Sequence, residues 1–151
     1  MSQPSTFVYV IYIKTTPERV WQALTGVEFM KQYWFGMHCE SEWKARSPWR
    51  MVFTDGRTAD AGEILEADPP RRLVIRWANE FNPELKAEGE SRCEMDIEAV
   101  QDAVKLTITH SINHPQSKFI QAVSGGWPKI LSNLKSLLET GQVVLVDKPV
   151  A

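Results

Sequence analysis

Apolar and polar positions alternate along residues 6 to 14, TFVYVIYIK, and put Phe7, Tyr9, Ile11 and Ile13 on one face. The stretch is rich in β-branched and aromatic side chains, so it predicts a strand with one buried side. The period then lengthens. Thr15 or Thr16 can cap a helix, Pro17 suits its first turn, and Glu18 meets the positive end of its dipole; Val20, Trp21 and Leu24 make its apolar stripe and Gly26 ends it. A second short helix is expected from about Val27 to Trp34, stopping before Gly36.

Six runs of strand character follow, at about Met37–Trp43, Pro48–Phe53, Thr58–Ala67, Arg72–Trp77, Ser91–Val100 and Val104–Ile112. Turn signals separate them, with Asp55-Gly56 the strongest and ADPPRR and QDA marking later reversals. NEFNPELKAEGE reads as a longer polar loop. From about Gln116 to Glu139 the helical period returns, carried by Phe119, Val123, Trp127, Ile130, Leu134 and Leu137, and Gly141 ends it. The tail QVVLVDKPVA is short, apolar and strand-like, suited to pack back on the domain or on a neighbour.

One strand, two short helices, six strands and a long helix predict an α+β fold. In it a curved seven-stranded antiparallel sheet wraps around the C-terminal helix. At 151 residues, 43% hydrophobic and 24% charged, the chain fits one domain, with a core at about 7–140 and a tail at 141–151. A formal charge of -2, with basic and acidic residues interspersed, gives no footprint for nucleic acid. The basic residues Lys44, Arg46, Arg50, Arg71, Arg72 and Arg76 read as a solvated surface. No stretch reaches the roughly 18 apolar residues of a membrane span, and MSQPSTF lacks the pattern of a signal peptide, so a cytoplasmic location is expected. Cys39 and Cys93 belong to no Cys-x-x-Cys and read as free buried thiols.

Strand parity assigns the inward faces. Val104, Leu106, Ile108, His110 and Ile112 share one side, as do Cys93, Met95 and Ile97, and likewise Trp49, Met51 and Phe53, and Leu73, Ile75 and Trp77. A curved sheet and a single helix touch along a band and leave space at one end. The expected ligand cavity is therefore lined by Trp49, Met51, Phe53, Ile75, Trp77, Met95, His110, Phe119, Val123 and Trp127. Gly125, Gly126 and Pro128 interrupt the long helix at its middle, where glycine costs about 1 and proline about 3 kcal/mol relative to alanine. A bend is expected there, with the glycines letting the backbone approach a strand or ligand; alternatively, the bend only follows the curvature of the sheet.

His110 is the best single candidate for acid or base chemistry, because parity places an ionisable ring on an apolar face. Glu63 and Glu66 fall on opposite sides of a regular strand, so one of them is expected to face the cavity. His38, Cys39, His110 and His114 have no recognised ligand spacing, so no metal is expected; no phosphate-binding loop occurs, so no cofactor is expected either.

The runs TTPERVWQALT, YWFG, EILEADPPRRLVIRW, VKLTITH and GGWPKILSNLKSLLE, in this order over residues 7 to 140, resemble the SRPBCC (START-like) superfamily. The branch they resemble is the one named after the activator of the heat-shock-protein-90 ATPase. The resemblance implies a helix-grip architecture with a hydrophobic cavity between sheet and C-terminal helix; it carries no catalytic motif onto this chain. The leading expectation is a carrier or sensor for a small apolar or aromatic molecule. A cyclase, dehydratase or hydrolase using the same cavity is the alternative. A third reading is a module for a chaperone or regulator, with Val143 to Val146 of the tail as contact, and a homodimer is compatible with all three.

Overall fold

The computed structural model describes residues 3–146. Its elements are β1 (Ser5–Ile13), α1 (Pro17–Thr25), α2 (Val27–Tyr33), β2 (His38–Ser41), β3 (Pro48–Val52), β4 (Thr58–Asp68), β5 (Arg72–Asn79), α3 (Pro83–Lys86), β6 (Ser91–Val100), β7 (Ala103–Ile112) and α4 (Lys118–Thr140). All seven strands form one antiparallel sheet in the order β1-β7-β6-β5-β4-β3-β2. This is the expected α+β architecture: a meander from β2 to β7, with β1 closing on β7 and α4 lying on the concave face.

Local chemistry sets the ends of the elements. Thr16 caps α1 by accepting the Arg19 N–H at 3.3 Å, with Pro17 at its first position. Ser117 caps α4 by accepting from Ile120 N at 3.0 Å, and Gly141 ends it at φ +86°. The alternation of β7 is clean, with Val104, Leu106, Ile108, His110 and Ile112 buried.

Four expectations are corrected. The second strand stops at Ser41 rather than Trp43, because Trp43 and Arg46 take positive φ (58° and 74°) and leave the ladder. The polar loop contains a helical turn, α3, since the Asn82 side chain accepts from Glu84 N and Leu85 N ahead of Pro83. Neither Glu63 nor Glu66 faces inward: a register shift between Ile64 and Glu66 changes the parity. Both then pair on the convex side, Glu63 with Arg76 at 3.6 Å and Glu66 with Arg72 at 3.1 Å. Finally, a side-chain atom added at Gly125 or Gly126 would meet open space, so no strand approaches the backbone there; α4 itself runs through Pro128 as one helix.

Packing explains why α4 survives its own sequence. Proline and two glycines cost roughly 5 kcal/mol together. Phe119, Ile120, Trp127, Ile130, Leu131, Leu134 and Leu137 are buried along the same helix, at roughly 1.5–3 kcal/mol each, and outweigh that penalty. Pro128 still has no N–H, so the Ser124 carbonyl lacks its intrahelical donor.

Both ends of α4 are tied down. At the start, Glu88 accepts from Ser117 Oγ, from Lys118 N at 2.9 Å and from Phe119 N at 3.3 Å, placing a carboxylate at the positive end of the helix. Near the finish the fully buried Asn133 clasps the returning chain: its Oδ1 accepts from Val144 N (3.0 Å) and Leu145 N (2.7 Å), and its Nδ2 donates to Leu145 O (2.9 Å). The tail thus packs back on its own domain as far as Leu145; residues 147–151 lie outside the described residues.

Candidate functional site

Trp77, on the inward face of β5, is the centre of the space between sheet and α4. Its ring lies 4.6 Å from Trp49 on β3, 5.0 Å from His110 on β7 and 5.9 Å from Trp127 on α4, centroid to centroid. Trp34, just after α2, meets Trp127 edge to face at 5.6 Å, and Phe119 meets His110 in the same way at 5.2 Å. Between these rings remains an enclosed space of about 20 Å³. That volume holds about one water molecule.

Trp49, Ile75, Trp77, Met95 and Trp127 line this space. The other expected residues lie around it. Met51 is buried farther along β3, Phe53 pairs with Phe81 at 5.2 Å near the solvent, His110 and Phe119 stack behind Trp77 and Trp127, and Val123 is half-buried on α4. The opposite wall was not anticipated from sequence: Leu24, Met30, Tyr33 and Trp34 of the α1–α2 segment, with Cys39 and Trp43, also line the cavity. Their apolar spacing was visible, but that the helical pair folds across the mouth of the sheet is a tertiary fact.

A hydrogen-bonded chain crosses the site. Trp127 Nε1 donates to His110 Nδ1 at 3.1 Å, which makes Nδ1 the acceptor and places the ring proton on Nε2. His110 Nε2 then donates to Ser91 Oγ at 2.9 Å, and Ser91 donates to the Trp77 carbonyl at 2.7 Å. His110 is fully buried, and burial lowers its pKa to about 3, so the ring is neutral with both nitrogens engaged. Ser91 beside it is a relay of hydrogen bonds, since its proton already points at a carbonyl.

The second polar feature is Asp60 on β4, 7% exposed, whose pKa burial raises to about 7. Asn79 Nδ2 donates to its Oδ1 at 3.2 Å, and the Trp77 indole N–H lies beside it and favours the charged form. Both indole N–H groups are buried, and neither closes a well-formed hydrogen bond: that of Trp77 lies beside Asp60 and that of Trp49 beside the Cys39 thiol. Asp60 falls within the expected strand Thr58–Ala67, where a lone aspartate beside a turn carries no sign of burial; counting back by twos from the buried Ile64 places it inward with Gly62. Over the convex face, by contrast, Arg72 is held by Glu66, Glu94 and Asp96, at 3.1, 2.6 and 2.6 Å, and belongs to a surface brace.

A long C-terminal helix gripped by a curved antiparallel sheet over an aromatic interior defines a helix-grip protein of the SRPBCC superfamily. Within that class the chain belongs to the family described as Activator of Hsp90 ATPase homolog 1-like protein, whose model matches residues 14–139. Among solved structures it is similar to the Aha1 dimer from Colwellia psychrerythraea, with 21% identity, a TM-score of 0.74, and coverage of 91% of this chain and 98% of that one. It is also similar to an Hsp90 activator from Plasmodium falciparum (20% identity, TM-score 0.72, 88% and 95% covered) and to CalU16 from Micromonospora echinospora (19%, 0.72, 90% and 77%). At these identities the likeness is one of fold. No curated protein matches the chain significantly. Among the described residues, no helix is long and apolar enough to cross a membrane.

Proposed function

We propose that this protein binds a small, flat, largely apolar molecule between the concave face and α4, as a carrier or sensor, and that binding opens the site. The observation that carries the reading is the pair of buried indole N–H groups, on Trp49 and Trp77, which face the Cys39 thiol and the Asp60 carboxyl without closing a well-formed hydrogen bond to either. Close to all buried donors in a simple core are paired, whereas a binding site keeps a few polar groups for its occupant. A space of about 20 Å³ admits no such molecule, so the occupant enters when the first half of α4 moves away from the sheet. Gly125, Gly126 and Pro128 make that part of α4 the weakest along its length. The need to open lowers the apparent affinity by the fraction of open molecules.

On this reading His110 orients Trp127 as a positioning residue and does not act as base. The test is a thermal-shift and tryptophan-fluorescence screen of aromatic and lipid compounds against the intact chain. Saturable stabilisation with recovery of the compound unchanged is expected. No shift and no quenching across the screen overturns the proposal, and turnover of a compound that His110→Ala abolishes would move it to the enzyme reading.

A second reading, a chaperone-contact module, is supported by the family to which the chain belongs and by Val8, Val10 and Tyr12, which stand exposed on the outer face of the edge strand β1. Val144 and Val146 of the tail are exposed as well. Titration with purified Hsp90, repeated with Val10→Glu, tests it. Sedimentation of the same samples tests a homodimer through that strand.

A further inference from the structure

The inward face of β5 presents Trp77 and Asn79, and the next residue at the same spacing is Phe81. Trp77 lines the enclosed space, Asn79 is 3% exposed, and Phe81 is 54% exposed, so this row leads from the cavity wall to solvent. Asp60 is the register partner of Asn79 on one side and of Met51 on the other. By register it lies level with Asn79, between Trp77 and Phe81 along the row, and its carboxyl is beside the Trp77 indole N–H.

The carboxyl is short of partners. A carboxylate offers about four acceptor positions; Asn79 fills one of them and the Trp77 N–H lies beside another. The remaining Asn79 acceptor is taken by Asn82 N at 2.8 Å, which holds the amide in place. No cationic side chain is among the groups that favour the charge of Asp60. A buried carboxyl without a cation is costly, and structures keep such groups where an incoming donor completes them.

We infer that Asp60 and Asn79 form the polar end of the binding site and take the protonated amine of an aromatic amine whose ring lies against Trp77. A protonated amine on the Asp60 carboxyl makes a charge-assisted hydrogen bond, while the ring it carries packs against the aromatic wall. The raised pKa of Asp60, about 7, agrees with a carboxyl waiting for a positive partner. This inference rests on the ligand-binding reading above and adds the chemical class of the ligand.

The experiment compares tryptamine with its neutral counterpart indole-3-ethanol by calorimetric titration at about pH 8, where Asp60 is mostly ionised. The wild-type chain and Asp60→Asn are titrated in parallel, and circular dichroism monitors the fold of the variant. Tryptamine is expected to bind the wild type about ten-fold or more tightly than the alcohol. Asp60→Asn is expected to remove that preference, bringing the affinity for tryptamine to within about two-fold of that for the alcohol. Equal binding of both probes, indifferent to Asp60→Asn, overturns the amine assignment and leaves the aromatic site standing. Binding of neither probe to the wild type counts against both. The wild-type comparison needs no variant, so a misfolded Asp60→Asn does not rescue the inference.

Discussion

Trp127 on α4 donates its indole N–H to Nδ1 of His110 on β7 at 3.1 Å, and this bond couples the helix to the sheet across the candidate site. The same ring passes the connection through Ser91 to the backbone of Trp77, so the aromatic walls on the two sides are positioned by one imidazole. A histidine on an apolar strand face looks like a base in sequence; here its neighbours use both nitrogens.

Removing that ring leaves Trp127 Nε1 and Ser91 Oγ buried without each other's relay and opens a void beside Phe119. His110→Ala is expected to destabilise the fold by roughly 2–5 kcal/mol, read as a lower urea midpoint. An unchanged midpoint would contradict the bracing role.

Asp60 and His110 pull the pH dependence of stability in opposite directions. For Asp60 the folded pKa (about 7) exceeds the ordinary 3.8, so its contribution is present in acid and is lost as pH rises from about 4 to 7. For His110 the folded value (about 3) lies below the ordinary 6.5, so stability is lost as pH falls from about 6.5 to 3. Between pH 4 and 6.5 the two slopes oppose each other. Glu80 also raises Asp60, and the carboxylates Glu40, Glu88 and Glu139, held below their usual range by hydrogen bonds, add acid sensitivity of the His110 sign. Melting curves from pH 4 to 8 are expected to rise more steeply with pH in Asp60→Asn than in the wild type. Parallel curves would show that Asp60 titrates normally.

Gly125 and Gly126 touch nothing that an added methyl group would strike. Replacing each with alanine is expected to stabilise α4 by up to about 1 kcal/mol. If the glycines serve opening of the site, the double variant also binds its aromatic probe more slowly in stopped-flow fluorescence. A higher melting temperature with an unchanged association rate would reduce the pair to a structural accident.

Asn133 holds the tail through backbone groups of Val144 and Leu145. Asn133→Leu leaves those groups unpaired and is expected to cost roughly 1–3 kcal/mol. Limited proteolysis beyond Gly141 should accelerate many-fold, and cleavage at the wild-type rate would show that other contacts suffice.

Much of this protein is determined by residue order. Period-2 alternation in Val104–Ile112, and the Thr16-Pro17, Ser117 and Gly141 boundary signals, depend on neighbours a few residues apart. The same is true of the order of strands and helices, from which the seven-stranded sheet gripping one long helix follows. Local rules act over that range, so the fold class was legible. The site was legible only as an inward list. One extra residue in β4 turned Glu66 to the convex face alongside Glu63, and nothing in the strand Thr58–Ala67 marked Asp60 as the buried carboxyl. The α1–α2 pair supplied a wall, and α4 stayed whole through Pro128 because contacts from across the chain outweigh a local penalty. Whether inward rings enclose a chamber or close to the size of one water depends on the packing of residues 50 to 100 positions apart, to which no local pattern responds.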